Sequence, residues 1–168
     1  MIHKIVRKQN NSKLCFVCGM KNEFGIHAHF YVTENQELIA LFTPFEEHQS
    51  YPGRLHGGIA SAILDETIGR AILNKYEAEV WGVTVELNLK FKKPIPLNEQ
   101  LKVIGRITTE NSRMFEGTGE IILPNGEVAV TARGKYLKVP LEKITDFDIK
   151  DNEWRIVELE NDPKEIKI

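Results

Sequence analysis

An α+β fold, with one antiparallel sheet of five or six strands wrapped around a single long buried helix, is what this sequence predicts. Three observations predict it. Only residues 57–75 carry a strong helical pattern, and that stretch is apolar nearly all round for its first two turns. After residue 80, strand-like segments follow one another with turn residues between them and no second helix. The chain has 168 residues, enough for one domain with its own core. A helix apolar on most sides has to be covered on most sides, and a sheet curled around it does so.

The elements follow in order. Residues 1–25 read as a polar, irregular N-terminal segment with turn signals at Asn10-Asn11 and Gly19. Residues 26–33 and 37–43 read as two strands joined by a hairpin turn at Glu34-Asn35-Gln36. A loop from Pro44 to Leu55 contains the turn pair Pro52-Gly53. In the helix, Ile59, Ala60, Ala62, Ile63 and Leu64 leave only Ser61 polar before Asp65, and Ile68, Ala71 and Ile72 extend the apolar surface. Residues 80–92 alternate: Val83, Val85, Leu87, Leu89 and Phe91 on the face assigned to the core, Thr84, Glu86, Asn88, Lys90 and Lys92 on the other. Pro94 and Pro96 end that strand. Residues 100–109, 114–123 and 127–139 are the last three strands, the final pair joined by the Asn125-Gly126 turn, a dipeptide that tolerates positive φ. Residues 1–140 are expected to form one domain. Residues 141–168, acidic and with little regular pattern, read as a tail in which Trp154-Arg155-Ile156-Val157 is able to pair as a strand.

Composition excludes several function classes. Lys and Arg number 22 and Asp and Glu 24, so the general basic footprint of a nucleic-acid binder is missing. No apolar run approaches the ~18 residues of a membrane-spanning helix. The first eight residues lack the apolar core of a secretory signal. The expectation is therefore a cytoplasmic protein with no nucleic-acid or membrane partner. The two cysteines, Cys15 and Cys18, make no disulfide framework. Their C-x-x-C spacing is half a zinc site, with His27 and His29 downstream, but the usual second ligand pair is absent. Two small residues shaping an N-terminal turn is the reading preferred, with no metal and no cofactor.

The chemistry concentrates between Glu47 and Glu66. Gly57 and Gly58 open the helix, where unpaired backbone N–H groups and the positive end of the helix dipole meet. Glycine there permits a ligand to come close to the backbone, which suits a polarised carbonyl or a developing oxyanion. Asp65 follows two apolar turns, so its carboxylate is expected to be partly withdrawn from water, the situation of a general base or nucleophile. Eight residues separate Gly57 from Asp65, about 12 Å along the axis, whereas a reacting atom must sit roughly 3 Å from both base and oxyanion donor. One helix cannot serve one substrate with both. The sequence thereby predicts a homodimer whose sites combine Gly57 of one chain with Asp65 of the other. His56 at the helix entry is a candidate for orienting the loop, binding substrate or acting as an acid. His48, Gln49 and Ser50 supply polar groups in the preceding loop, and Thr84 is placed to bond a water or a carboxylate. Lys90, Lys92, Lys93, Arg133 and Lys135 lie at strand ends, either as a solvated edge or as partners for the phosphates of a large anionic ligand.

The segment H-Q-S-Y-P-G-R-L-H-G-G-I-A-S-A-I-L-D-E resembles the helix-entry motif of hotdog-fold thioesterases of the phenylacetate-degradation type, within the 4-hydroxybenzoyl-CoA thioesterase superfamily. V-T-V-E-L-N-L-K-F-K-K-P resembles the central strand of that branch, and C-F-V-C-G-M-K-N-E-F-G-I the N-terminal segment of a related subgroup. The resemblance covers about residues 14–140. It implies hydrolysis of an acyl-coenzyme A thioester, with Gly57, joined by Gly58, polarising the carbonyl. It makes Asp65 of the facing subunit the general base or nucleophile, with Thr84 helping it position the water; His56 is kept beside them as a catalytic candidate. Gln49, Ser50, Gly58, Asn88 and Lys90 are the implied substrate contacts; Ser50 stands where relatives often carry Asn or Gln. Dimers of such proteins commonly pair into tetramers. Two other functions compete: a non-catalytic acyl-CoA-binding hotdog protein, against which Asp65 speaks, and a hydroxyacyl-thioester dehydratase, whose His and acid pattern His56 and Asp65 do not match.

Overall fold

The computed structural model describes residues 1–76, 79–146 and 148–168. Among the described residues eight strands form one antiparallel sheet: β1 (Ile2–Lys8), β2 (His29–Thr33), β3 (Leu38–Phe42), β4 (Trp81–Phe91), β5 (Leu101–Glu110), β6 (Met114–Ile122), β7 (Val128–Val139) and β8 (Glu165–Lys167). Their spatial order is β4-β7-β6-β5-β3-β2-β1-β8. The helix α1 (Gly57–Arg70) crosses one face of this sheet and packs on β3, β4, β5, β6 and β7. The sheet wrapped around a helix is the architecture expected, and its last four strands lie within a residue or two of their expected bounds.

Three differences stand out. The N-terminal segment begins with a strand, and residues 165–167 form another. The two pair with each other, Ile2 with Lys167 and His3 with Ile166, and extend the sheet to eight strands. Neither has a clean alternation, because the apolar residues of β1, Ile2, Ile5 and Val6, are irregularly spaced and β8 is three residues long. Residues 26–28 do not join β2. Ile26 and Ala28 donate their N–H groups to Phe16 and Val17, tying this stretch to the cysteine turn. The helix expected over 57–75 is broken at Ala71–Ile72, and a separate turn, α2 (Leu73–Tyr76), follows.

The core lies between α1 and the sheet. Ile63, Leu64 and Ile68 of the helix meet Phe30, Val32, Leu38, Ala40, Val103, Phe115 and Ile121. The helix approaches closely because glycine lies beneath it: a Cβ on Gly105 would sit 2.8 Å from the Thr67 carbonyl oxygen. On the opposite face Tyr31, Ile39, Ile104 and Ile122 bury a smaller cluster under Ile166 of β8. The tail is attached elsewhere too. Arg155 bridges to Asn11, and the Trp154 ring lies 5.0 Å from that of Trp81.

The alternation of β4 is not continuous. Its pairing with β7 runs Thr84 to Tyr136 and then Glu86 to Lys135, so Val85 is an extra, bulged residue. Beyond the bulge Leu87 and Leu89 pack on the core, as expected. Before it the phase is reversed. Gly82 and Thr84 face the helix, and Val83 and Val85 do not join the core, Val85 being 55% exposed. β4 is also the edge of the sheet on that side.

Candidate active site

At the start of α1 the chain bends from extended into helical geometry at His56, with φ −65° and ψ 133°. The His56 ring is used locally. Its Nδ1 accepts the Gly58 N–H at 2.9 Å, which caps the helix and places the ring proton on Nε2. Gly58 is therefore occupied, and the Ile59 and Ala60 N–H groups both reach the His56 carbonyl. The Gly57 N–H has no such partner among the described residues. It borders a cavity of about 400 Å³ lined also by Ser50, Tyr51, Arg54, Phe91, Lys92 and Lys93. Lys93 pairs with Glu127, while Arg54 and Lys92 leave positive charge at the cavity rim.

Two turns along, Asp65 is half-buried and its carboxylate is held from two strands. Thr84 Oγ1 donates to it, 2.9 Å from Oδ1 and 3.1 Å from Oδ2. Tyr136 Oη donates at 3.1 Å to Oδ1 and lies 3.2 Å from the Asp65 carbonyl oxygen. Burial, with the carboxylate beside it, pushes the Tyr136 phenol above its usual value, so it stays a donor. The ring is fixed by stacking on Phe115, centroids 4.9 Å apart and planes 11° from parallel. Asp65 and Thr84 open into a second cavity of about 400 Å³, bounded by Cys15, Glu66, Arg70, Trp81 and Trp154. Gly57 and Asp65 thus front separate spaces on one chain.

The other residues singled out from sequence are scattered. Gln49 is exposed and accepts the Gly53 N–H. Ser50 shares the Gly57 cavity. Asn88 donates to Glu86 at 2.7 Å, and Lys90 is exposed; both lie on the face of β4 turned away from the helix. His48 is buried and structural, its Nδ1 accepting the Phe45 N–H and its Nε2 bonding the Phe24 carbonyl. Tyr136 is the residue that sequence reasoning missed. Its position in an alternating strand is ordinary, and only the pairing of β7 beside β4 brings it to Asp65.

The cysteines do shape a turn, with Gly19 N–H bonded to the Cys15 carbonyl at 2.8 Å, but they are not isolated from the site. Cys15 Sγ lies 3.2 Å from Glu66 Oε2, and Glu66 Oε1 is 3.2 Å from Arg70 Nη1. A hydrogen bond from Cys18 and the neighbouring backbone N–H groups lower the Cys15 thiol pKa despite burial, while the same pairing and burial push Cys18 up. Arg70, 5% exposed, is itself locked by Gln9 Oε1, the Asn10 carbonyl, and the rings of Phe30 and Trp154.

Comparison with known proteins fits this geometry. Residues 52–130 match the family described as "Thioesterase superfamily". Over 87 residues the chain is 36% identical to acyl-coenzyme A thioesterase THEM4 of Mus musculus, covering 48% of this chain and 36% of that one. The chain therefore spans about a third of that relative's length. It is 25% identical over 88 residues to the uncharacterized protein C26H8.11c of Schizosaccharomyces pombe, covering 52% of this chain and 50% of that one. Among solved structures it resembles RHA08564, a thioesterase superfamily protein, with TM-score 0.67 and 25% identity, over 73% of this chain and 59% of the other. The PaaI protein of the E. coli phenylacetic acid degradation operon superposes with TM-score 0.62 at 13% identity, over 68% and 80% of the two chains. A hypothetical thioesterase from Streptococcus pneumoniae solved with coenzyme A superposes with TM-score 0.57 at 16% identity, over 62% and 82%. With its helix wrapped by an antiparallel sheet the chain has the hotdog fold of these thioesterase neighbours, and the stretch from the helix entry into β7 is similar to the thioesterase superfamily.

Proposed function

We propose that this protein hydrolyses an acyl-coenzyme A thioester to a carboxylic acid and free coenzyme A. The observation that carries the reading is the Asp65 carboxylate, half-buried in a cavity and held by the hydroxyls of Thr84 and Tyr136. Such a carboxylate is positioned to take a proton from water as that water attacks the thioester carbon, or to attack the carbon itself. The negative charge that forms on the carbonyl oxygen is received by the Gly57 N–H at the positive end of the helix. The thiolate of coenzyme A then leaves as the carbonyl re-forms, and takes up the proton; where Asp65 itself has attacked, water then hydrolyses the mixed anhydride left on it and frees the acid.

Both groups serve one thioester only if two chains combine, because they lie about 12 Å apart along the helix and front different cavities. The edge strand β4 supports that arrangement. Among the described residues no further strand pairs along its outer side, and Val85 and Phe91 on it are 55% and 56% exposed. In the proposed homodimer a second copy lies along this edge, and the Gly57 cavity of each chain faces Asp65 of the other. Arg54 and Lys92 at the Gly57 cavity suit the phosphates of coenzyme A. Asn88 and Lys90, on the outer face, are kept as contacts for the same ligand across the interface.

The test is thiol release from a panel of short, long and aromatic acyl-coenzyme A esters, wild type against Asp65→Asn. The expected result is turnover by the wild type and a loss of about 10²–10⁴-fold in the variant, with thermal stability retained. Equal turnover by a folded Asp65→Asn protein would overturn the mechanism. Binding of the esters without any thiol release would instead mark a non-catalytic acyl-coenzyme A-binding protein.

A further inference from the structure

The Cys15–Cys18 turn and Glu66 form a cluster that the hydrolytic reading does not use. We propose that it is a zinc site, with the two thiolates and one carboxylate oxygen as ligands, clipping the N-terminal segment to helix α1. The ligand atoms, Cys15 Sγ, Cys18 Sγ and a Glu66 oxygen, all lie within 4.8 Å of one another. Around a tetrahedral zinc, sulfur–sulfur and sulfur–oxygen separations are about 3.8 and 3.5 Å. The 3.2 Å between Cys15 Sγ and Glu66 Oε2 is already close to the second value.

The turn is built to hold a sulfur anion. The N–H groups of Val17 and Cys18 both point at Cys15 Sγ, at 3.3 and 3.4 Å. Gly19 closes the turn so tightly that a Cβ there would lie 2.3 Å from the Cys15 carbonyl oxygen. Backbone N–H groups converging on one sulfur are a poor use of donors if that sulfur is only a thiol, a weak acceptor. They are a good use if it is a metal-bound thiolate.

The third ligand is oriented from behind. Arg70 takes Glu66 Oε1 and leaves Oε2 facing the sulfur, the kind of outer partner that fixes a ligating carboxylate. Arg70 is held in turn by Gln9, Asn10, Phe30 and Trp154, so the carboxylate has little freedom to turn away. Charge also balances: two thiolates and a carboxylate are matched by a divalent cation together with the guanidinium. Two soft sulfurs with one oxygen favour zinc over magnesium or calcium. The fourth position falls to a water or to the Ser12 hydroxyl, 3.3 Å from Cys18 Sγ, on the wall of the cavity that Asp65 enters. The helix residue preceding the ligand Glu66 is Asp65, so the clip bears directly on the turn that presents the carboxylate.

The protein, without a histidine tag and never exposed to chelator, is analysed for metal and for free thiols under reducing conditions. About one zinc per chain is expected. After zinc removal, cobalt added to the reduced protein should give the near-ultraviolet sulfur-to-cobalt absorption of a tetrahedral thiolate site. Glu66→Gln should keep the fold and weaken zinc binding at least about tenfold; Cys15→Ser and Cys18→Ser should abolish it. If the cysteine variants do not fold, the metal titrations of the wild type and of Glu66→Gln decide alone. Reduced protein that takes up neither zinc nor cobalt stoichiometrically overturns the proposal. So does zinc affinity unchanged in Glu66→Gln, and so does a Cys15–Cys18 disulfide in anaerobically isolated, metal-free protein.

Discussion

Replacing Gly57 with proline isolates a single hydrogen-bond donor. Gly57 is the first residue of α1, the helix position where the N–H has no intrahelical acceptor and proline is well tolerated. A residue before proline must be extended, and His56, at φ −65° and ψ 133°, already is. A Cβ at position 57 meets only the Phe91 ring, at 3.5 Å, an ordinary contact. The substitution should therefore leave stability unchanged or raise it by up to about 1 kcal/mol, by restricting the unfolded chain. Its effect on catalysis should be large. The Gly58 N–H is spent on His56, so no neighbouring donor at the helix start replaces the lost one. Loss of one oxyanion donor lowers kcat about 10²–10³-fold. Gly57→Ala is the steric control, since it adds the Cβ and keeps the N–H. The assay is kcat for the best substrate of the panel, together with the melting temperature of each variant. A Gly57→Pro protein turning over within about threefold of an active Gly57→Ala protein would refute the oxyanion role, set against the 10²-fold minimum expected. Mixing adds a second reading. A heterodimer of Gly57→Pro and Asp65→Asn chains has one site with both lesions and one with neither, so activity should return on mixing two inactive proteins. No recovery in verified heterodimers would exclude sites shared between chains.

Three further outcomes are expected. Thr84→Val, which removes the hydroxyl at 2.9 Å from Asp65, should lower kcat by about 10–100-fold with little change in KM, the size of a lost hydrogen bond to a charged group. Thr84→Ser should recover most of that activity, and equal kcat in the Val and Ser variants would remove Thr84 from the mechanism. Gly105→Ala should lower stability by about 1–3 kcal/mol, read as a lower urea midpoint at unchanged slope, because the new Cβ would press on the helix backbone at Thr67. An unmoved midpoint would show that the helix has room to lift. His29 carries a pH dependence: burial, reinforced by Lys8, lowers its pKa from 6.5 to about 4. The folded protein thus resists a proton that the unfolded chain accepts, so this stability is complete above pH 6.5 and is lost as pH falls toward 4. Its slope is at most about 1.4 kcal/mol per pH unit, and His29→Gln should flatten the denaturation midpoint over that interval.

The legible parts of the molecule were those in which local pattern and tertiary role agree. The buried helix announced itself through Ile59 to Leu64, and Asp65 stood out because nothing in that pattern requires an acid. The separation of Gly57 from Asp65 was fixed by helical rise alone, and the two cavities agree with it. What escaped was set by contacts between distant segments. β1 is a strand because it pairs with β2 and β8, and β8 because it pairs with β1, and neither sequence alternates cleanly. Tyr136 reaches Asp65 through strand order, which alternation does not encode. Glu66 carries no signal of its own in the helical pattern; it bridges to Arg70, and its other oxygen meets a cysteine 51 residues earlier. Thr84, assigned by alternation to the face away from the core, instead meets Asp65 on the helix side, because the bulge at Val85 has no signature in a run of well-formed alternation.

That bulge works like a frameshift in the side-chain code of β4. An unbroken strand offers each face one parity of residue numbers, so a wall built from Leu87 and Leu89 would keep every even-numbered side chain, Thr84 included, pointed away from the helix. With one residue read twice, the same face holds odd numbers beyond Val85 and even numbers before it, and one strand delivers both an apolar wall and a hydroxyl to the same side. The arrangement ties the chemistry to a count rather than to a composition. Substitutions along β4 can be absorbed one at a time, and deleting Val85 would leave Thr84 on the helix side, because Thr84 and Glu86 already oppose the consecutive residues Tyr136 and Lys135; pairing Val85 into the ladder with the chain length unchanged would instead turn Thr84 from Asp65 toward the outer surface.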